Sequence, residues 1–501
     1  MAKNNSLLIL LLVKSALMSQ TIRRGISFRE SPFLNSMIKR RVRGNMKIYY
    51  KVMENLLIRP EVFGGVIINK ANMQRLELRK EEAVYLCALS KFGGDAELSD
   101  RAVKILTGNN VDAKRLLEYG IIQTSEKTDN VEVDYFEIVR DIEKEFCHVW
   151  KFSQMHLSAP LEITIYPTLN CNLNCKFCFV KNKNEDVEEI DEEAWLKTLK
   201  EAKEMKVLSL SILGGEPTRY RYIDELLKGI NELELKTTIT SNGIGIKDST
   251  KQMILDCEYI IPVFSVQSFS EKNKDLMGVG YERILETIEY MLEKGKEVRL
   301  NSVYTNQDIE EIFEIIDFCI NKGISRYSIG VYVDINDSNE QVKRNGFYEV
   351  RLLDEKLQAY IVNEYGEGKL DLSVEGCLLY TGYPELEHDI QEISEFEKEY
   401  FGCRAGKSKL EIYPNGDVYP CICFENLLIP TSNITNSSLR DIWDNDETIN
   451  ELRAAKTLND ECQKCGYNII CNSGCPAIKM KQFGTDFMKY KDPRCAIQHD
   501  N

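Results

Sequence analysis

From residue 161 onward, short apolar runs alternate regularly with amphipathic stretches. Runs at 161–166, 207–213, 235–240, 259–266, 297–304 and 326–333 are rich in Ile, Leu, Val and Thr and predict strands. Between them, apolar positions recur at helical spacing near 191–205, 222–233, 248–256, 281–294 and 308–321. Successive β/α units predict an α/β fold with a parallel sheet. Right-handed crossovers curl such a sheet toward a partial (β/α)6 barrel. In these folds the working residues collect at the carboxyl ends of the strands. The domain is taken as residues 151–333.

The chain ahead of it has a different rhythm. Residues 47–53, 56–60, 63–69 and 73–79 read as short strands, with Gly64-Gly65 at a turn or bulge. Helical patterns follow at 80–90, 98–106 and 111–119, the last closed by Gly120. Residues 46–125 thus predict a small α+β, winged-helix-like unit. Residues 126–150 are acidic and polar and read as a linker carrying one amphipathic helix. Residues 334–402, mostly helical and acidic, bridge to a cysteine-rich end at 403–501.

Charge changes this picture at one place. Residues 1–47 hold ten Lys and Arg against one acid, whereas 48–501 hold 54 basic and 78 acidic residues. A break this sharp sets 1–45 outside the fold. We read it as upstream sequence translated ahead of a start at Met46, a targeting peptide being the alternative. The net charge of −15 argues against nucleic acid as a partner. No apolar run reaches the roughly 18 residues a membrane span needs.

The sixteen cysteines bunch, with three inside eight residues and four between Cys462 and Cys475. Such neighbours suit metal centres better than disulfides. Cys87, Cys147, Cys257, Cys319 and Cys377 stand singly and read as buried structural thiols. The first predicted barrel strand runs into Cys171-Asn-Leu-Asn-Cys175-Lys-Phe177-Cys178. Three thiolates in one loop can hold three irons of a cubane and leave the fourth open to a ligand; alone, they would also suit a zinc loop. The next strand ends in Gly214-Gly215-Glu216-Pro217, whose glycines admit a ligand close to the backbone. In sequence and order these two motifs resemble the radical S-adenosylmethionine (SAM) superfamily.

That resemblance implies that Cys171, Cys175 and Cys178 hold a [4Fe–4S] cluster to which SAM binds. It sets Phe177 beside the adenine, and Gly214, Gly215, Glu216 and Pro217 near the SAM ammonium. Other strand ends, Ser241-Asn242, Ser265 and Gln267, and Asn301 on the fifth strand, are candidates for the ribose and carboxylate. Gln267 departs from the family, where an acid often stands. Electron transfer into SAM then releases a 5′-deoxyadenosyl radical that abstracts hydrogen from substrate.

At the far end, Cys403 is followed after twelve residues by Gly416 and after four more by Cys421. Next come Cys462-x2-Cys465-x5-Cys471-x3-Cys475 and then Cys495. Four of these could make a zinc ribbon. Following such a core, the series resembles the seven-cysteine SPASM extension. By that resemblance Cys462, Cys465, Cys471 and Cys495 enclose one auxiliary [4Fe–4S] cluster, and Cys403, Cys421 and Cys475 hold the other. Cys423 is the nearest spare thiol for the second; without it, one iron stays open toward substrate.

SPASM enzymes commonly act on peptides, and the unit at 46–125 resembles the element that binds leader peptides as an added strand. A packing cap with no ligand is the other reading of that unit. The expected function is a cytoplasmic radical SAM oxidoreductase that matures a precursor peptide with a leader, most plainly by an intrapeptide Cys thioether or similar cross-link. Ferredoxin or flavodoxin is the expected electron donor. The alternatives are sulfatase-maturating oxidation of Ser or Cys to formylglycine, and a non-catalytic iron–sulfur scaffold.

Overall fold

The computed structural model describes residues 47–69, 75–126, 134–151, 156–180, 187–305, 307–332, 347–377, 390–425, 427, 432–495 and 497. The segment 1–45, the start assigned to Met46, the side chain of Cys147 and much of the expected bridge lie outside them. The chain divides into two compact units, up to Ser158 and from Ala159.

In the first unit, β1 (Tyr49–Val52) pairs antiparallel with β5 (Ile122–Ser125). Strands β2 (Leu56–Glu61), β3 (Gly64–Asn69) and β4 (Arg75–Arg79) form an antiparallel sheet in that order. Gly64 and Gly65 open β3 in regular pairing rather than forming a bulge. Three helices follow, Lys80–Lys91, Ala96–Thr107 and Ala113–Glu118. The stretch expected as a linker belongs to this unit instead. Its helix Tyr135–Lys151 places Val139, Ile142 and Phe146 in the same core as Val84, Leu86 and Leu116. An apolar stripe at i, i+3 and i+7 stabilises a helix only when packed, and this one is packed here.

The second unit is built on a nine-stranded sheet. Its strands are β6 (Glu162–Ile165), β7 (Ser209–Ile212), β8 (Thr237–Ser241), β9 (Ile260–Ser265), β10 (Arg299–Tyr304), β11 (Arg326–Val331), β12 (Asp371–Glu375), β13 (Lys409–Ile412) and β14 (Val418–Tyr419). The order is β12-β11-β10-β9-β8-β7-β6-β13-β14. Pairing is parallel throughout except between β13 and β14. The six predicted β/α strands are therefore present as consecutive neighbours. Inward residues such as Ile163, Ile212, Ile239, Phe264, Leu300 and Ile329 are buried, as a parallel sheet covered by helices requires.

Two strands depart from expectation. The bridge contributes β12 to one edge, and the cysteine-rich end adds β13 beside β6, with β14 at the other edge. Strand β12 is five residues long with acids at both ends, so its pattern is weak; the register against β11 supplies its order. Strand β13 is fixed to β6 by charge. Arg404 and Ser211 donate to the two oxygens of Glu162, both at 2.9 Å, and Lys409 pairs with Glu411 at 2.9 Å. Burial would raise the Glu162 carboxyl, but Arg404, Lys409 and Ser211 together hold it down at about 2. Among the described residues no helix is long and apolar enough to cross a membrane.

Candidate active site and thiol groups

The three-cysteine loop leaves β6 and is pinned from three sides. From β7, the Gly215 N–H donates to the Thr168 carbonyl at 3.0 Å, and the Glu216 N–H to that of Asn170 at 2.9 Å. From the end of β8, Asn242 Nδ2 donates to Asn172 Oδ1 at 2.8 Å, while Asn172 Nδ2 donates to the Ile244 carbonyl at 2.8 Å. From the helix Glu271–Met277, the Leu276 carbonyl accepts from the Lys176 N–H at 2.9 Å, and Asp275 pairs with Lys176 at 2.5 Å.

The two glycines are needed for this contact. A Cβ on Gly214 would stand 2.3 Å from the Thr168 oxygen, and Gly214 also has φ +142°. A Cβ on Gly215 would stand 2.2 Å from the Leu169 oxygen and 2.5 Å from that of Asn170. The glycine pair thus lets β7 press against the backbone leading into Cys171. Pro217 is buried at the start of the short turn that follows.

Glu216 is 1% exposed and acts as a hub. Its carboxylate accepts from the Thr218 hydroxyl at 2.7 Å, the Ser241 hydroxyl at 2.8 Å and the Asn242 N–H at 2.8 Å. Burial pushes its carboxyl above the usual glutamate range, opposed by these donors, the Asn242 N–H foremost. Through Glu216 the ends of β7 and β8 become one surface, on which Asn242 approaches the Cys171 sulfur at 4.0 Å. The other sulfurs border the same loop, Cys175 lying 3.9 Å from the Met277 carbonyl and Cys178 3.7 Å from that of Val180. Phe177 is half-buried between them in sequence.

The remaining strand-end candidates divide. Ser265 and Asn301 face each other in register, the Ser265 hydroxyl donating to Asn301 Oδ1 at 2.9 Å. Gln267 is otherwise engaged: fully buried, it accepts from the Val303 N–H at 2.8 Å and so closes β10. Sequence reasoning missed Asn172, Thr218 and Asn273, whose side chains shape these loops. Asn172 lies inside the cysteine motif and Thr218 directly after the glycine motif, so proximity to a motif was the available signal.

At the cysteine-rich end the thiols form two groups. Cys403, Cys421, Cys475, Cys423 and Cys377 lie near enough to influence one another's thiols. Burial and then the neighbouring Cys377 push the Cys403 thiol up to about 12. Cys475 is raised by burial and then by Cys403 and Cys377. The Cys423 thiol donates to the Cys421 sulfur, which lowers Cys421 and raises Cys423. Cys377 corrects the expectation of a lone structural thiol. It sits at a solvent-exposed turn just past β12, yet Cys421, Arg494, Lys409 and Arg404 all act on it. The edge strand delivers it there. Cys87, Cys257 and Cys319 are buried apart from these groups.

In the second group Cys495 and Cys465 act on Cys462, which burial first raises to about 11. Cys471 ends the helix Asn468–Cys471. Among the described residues no three His, Cys, Asp or Glu side chains converge tightly enough to share one ion. A polynuclear cluster, whose thiolates each bind a different iron, does not require that convergence. The donor chemistry fits such clusters: soft sulfur ligands with Arg404, Lys409 and Arg494 close by to offset their charge.

Comparison with known proteins agrees with this geometry. The sequence profile of the radical SAM superfamily matches residues 165–319, and that of the iron-sulfur cluster-binding domain SPASM matches 403–466. The chain is 23% identical over 345 residues to a PqqA peptide cyclase of Rhizobium meliloti, covering 67% of this chain and 87% of that one. It is 22% identical over 336 residues to the mycofactocin maturase MftC of Mycolicibacterium smegmatis, covering 64% and 80%. Streptococcus suis SuiB, solved with S-adenosylmethionine, is 36% identical, with 89% of this chain and all of that one covered at a TM-score of 0.77. The structure of SuiB bound to its precursor peptide SuiA superposes at 0.78.

Proposed function

Because this chain belongs to the radical SAM superfamily and carries a SPASM domain, we propose that it cross-links residues within a precursor peptide, joining a Cys sulfur to a carbon. It is an enzyme of the peptide-modifying kind, using [4Fe–4S] clusters and SAM. The observation that carries the reading is the 36% identity along all of SuiB, a protein solved with a precursor peptide bound.

When bound, the cluster and SAM supply the radical that takes hydrogen from the substrate. The chain's own residues hold and aim that pair. Cys171, Cys175 and Cys178 are the proposed ligands of three irons. Gly214, Gly215 and the Glu216 hub keep their loop in place, and Ser265 and Asn301 offer a polar pair at a neighbouring strand end. Cys462, Cys465, Cys471 and Cys495 are assigned to one auxiliary cluster. For the other, Cys377 is proposed beside Cys403, Cys421 and Cys475, all of which it influences, with Cys423, which donates to Cys421 and is also influenced by Cys475, as the alternative fourth ligand. Four ligands there favour electron uptake over direct capture of a substrate thiolate.

The leader peptide is assigned to an outer strand of the first unit, where main-chain hydrogen bonds give affinity. In support, Arg115 of the helix Ala113–Glu118 donates to the Glu77 carbonyl at 3.0 Å, setting that helix beside β4. A reducing, cytoplasmic setting and a donor such as ferredoxin or flavodoxin suit the free thiols and clusters.

The test uses a short Cys-containing peptide encoded beside this gene. Incubation with SAM and reductant should yield a product lighter by two hydrogens, with one thiol no longer alkylated and one 5′-deoxyadenosine formed per link. A formylglycine product, or the lighter product with every thiol still free, would overturn the thioether. Equal affinity for precursors with and without leader would overturn the leader assignment.

A further inference from the structure

The helix Pro476–Phe483 carries a lysine in an unusual setting. Lys479 is 0% exposed. Its ammonium donates to the Ser473 hydroxyl, lies 3.9 Å from the Met488 sulfur and stands 5.6 Å from the centre of the Phe487 ring. None of these groups carries a negative charge. Among the described residues Lys479 forms no ion pair. Asp492, the charge that acts most on Lys479, is shared with Arg494, whose guanidinium donates to its two oxygens at 3.1 and 2.9 Å. Asp492 also accepts from the Cys475 N–H at 2.8 Å. A buried ammonium whose neighbouring carboxylate is shared with a guanidinium is poorly compensated.

The surroundings supply further negative charge. Ser473, the direct partner, lies midway in sequence between Cys471 and Cys475, and the Lys479 N–H donates to the Cys475 carbonyl at 3.2 Å. Burial pushes the Lys479 ammonium below the usual lysine range, opposed first by Asp492 and then by Cys462 and Cys471 of one thiol group and Cys475 of the other. A thiolate-ligated iron–sulfur cluster is an anion, and its charge grows by one when it is reduced.

We propose that Lys479 is the buried counter-cation shared by the two auxiliary clusters, and that its charge sets their reduction potentials. The proposal rests on the ligand assignment above. A fixed positive charge near the thiols of both groups favours the reduced form of each cluster, so it helps them accept an electron from the substrate side. The low local dielectric makes the effect large and insensitive to salt.

The test is a redox titration of the full chain, reconstituted without oxygen and followed by electron paramagnetic resonance, with iron counted in parallel. Lys479→Met keeps the bulk and removes the charge. It should shift reduction of both auxiliary clusters against the reduced form by about tenfold, or about 59 mV for one electron, and leave the SAM-binding cluster unchanged. Lys479→Arg should titrate like the parent. Unchanged auxiliary potentials in a fully loaded Lys479→Met protein would overturn the proposal. If Lys479→Met cannot retain auxiliary iron, full loading of Lys479→Arg supports the charge requirement, and failure of both variants overturns it. Cys462→Ala and Cys475→Ala separate the underlying assignment: if neither lowers the iron count, the ligand reading itself is wrong. If both lower it while Lys479→Met leaves the potentials in place, only the counter-cation fails.

Discussion

Replacing Gly215 by Ala tests how the glycine pair and the cysteine loop work together. The new Cβ would lie 2.2 Å from the Leu169 oxygen, and contacts under 3.0 Å essentially never occur, so one backbone must recede by roughly 0.8 Å. The opposing atoms are main chain, not the tip of a flexible side chain, and they lead directly to Cys171. The Glu216 N–H bond to Asn170 ties the two segments together, so a displacement of either is passed to the cysteine loop. A displacement near 1 Å at a reacting centre costs on the order of 100-fold in rate. We therefore expect cleavage of SAM to 5′-deoxyadenosine, measured under reductant by chromatography, to fall about 100-fold while the fold and auxiliary iron persist. Gly330→Ala is the companion. Its Cβ would meet only the Ser302 oxygen at 3.7 Å, an ordinary contact, so activity should stay within a few-fold of the parent. Near-parental cleavage by a fully loaded Gly215→Ala protein would refute the steric argument, as would an equal loss in both variants.

Three further outcomes follow from the packing. Glu162→Gln should destabilise the second unit by about 3 kcal/mol at pH 7, from a carboxyl held at about 2 against an ordinary 4.5. Because the folded value is depressed, this stabilisation is present above pH 4.5 and fades as pH falls toward 2, so urea melts of parent and variant should converge there. Cys377→Ala should lose the iron of one auxiliary cluster and Cys423→Ala should keep it; the reverse result would make Cys423 the fourth ligand. Tyr166→Phe removes the donor that sits 2.7 Å from buried Glu411, leaving only the Ile422 N–H on that oxygen. It should cost about 1.5–3 kcal/mol by chemical denaturation, and no loss would mean that water replaces the hydroxyl.

Where information lies within one loop or one strand, the sequence was enough. The spacing of Cys171, Cys175 and Cys178, the glycine pair at the end of the next strand, and the alternation that predicts β6 to β11 are all local chemistry. Each holds whatever surrounds it, because a tight loop brings near neighbours together and an apolar run must be covered. What depends on partners hundreds of residues away was decided only by the tertiary structure. The register of β12 against β11 carries Cys377 to Cys403 and Cys475, and nothing near Cys377 in sequence announces it. The pairing of β13 with β6 is held by Glu162 and Arg404, which are 242 positions apart. Gln267 could have faced a ligand, but a backbone N–H on β10 claims its side chain. Lys479 looks like any surface lysine until the chain closes over it. Burial and charge pairing are properties of the folded neighbourhood, set by which strands and helices come together, and a linear pattern carries them only when the partners lie close along the chain.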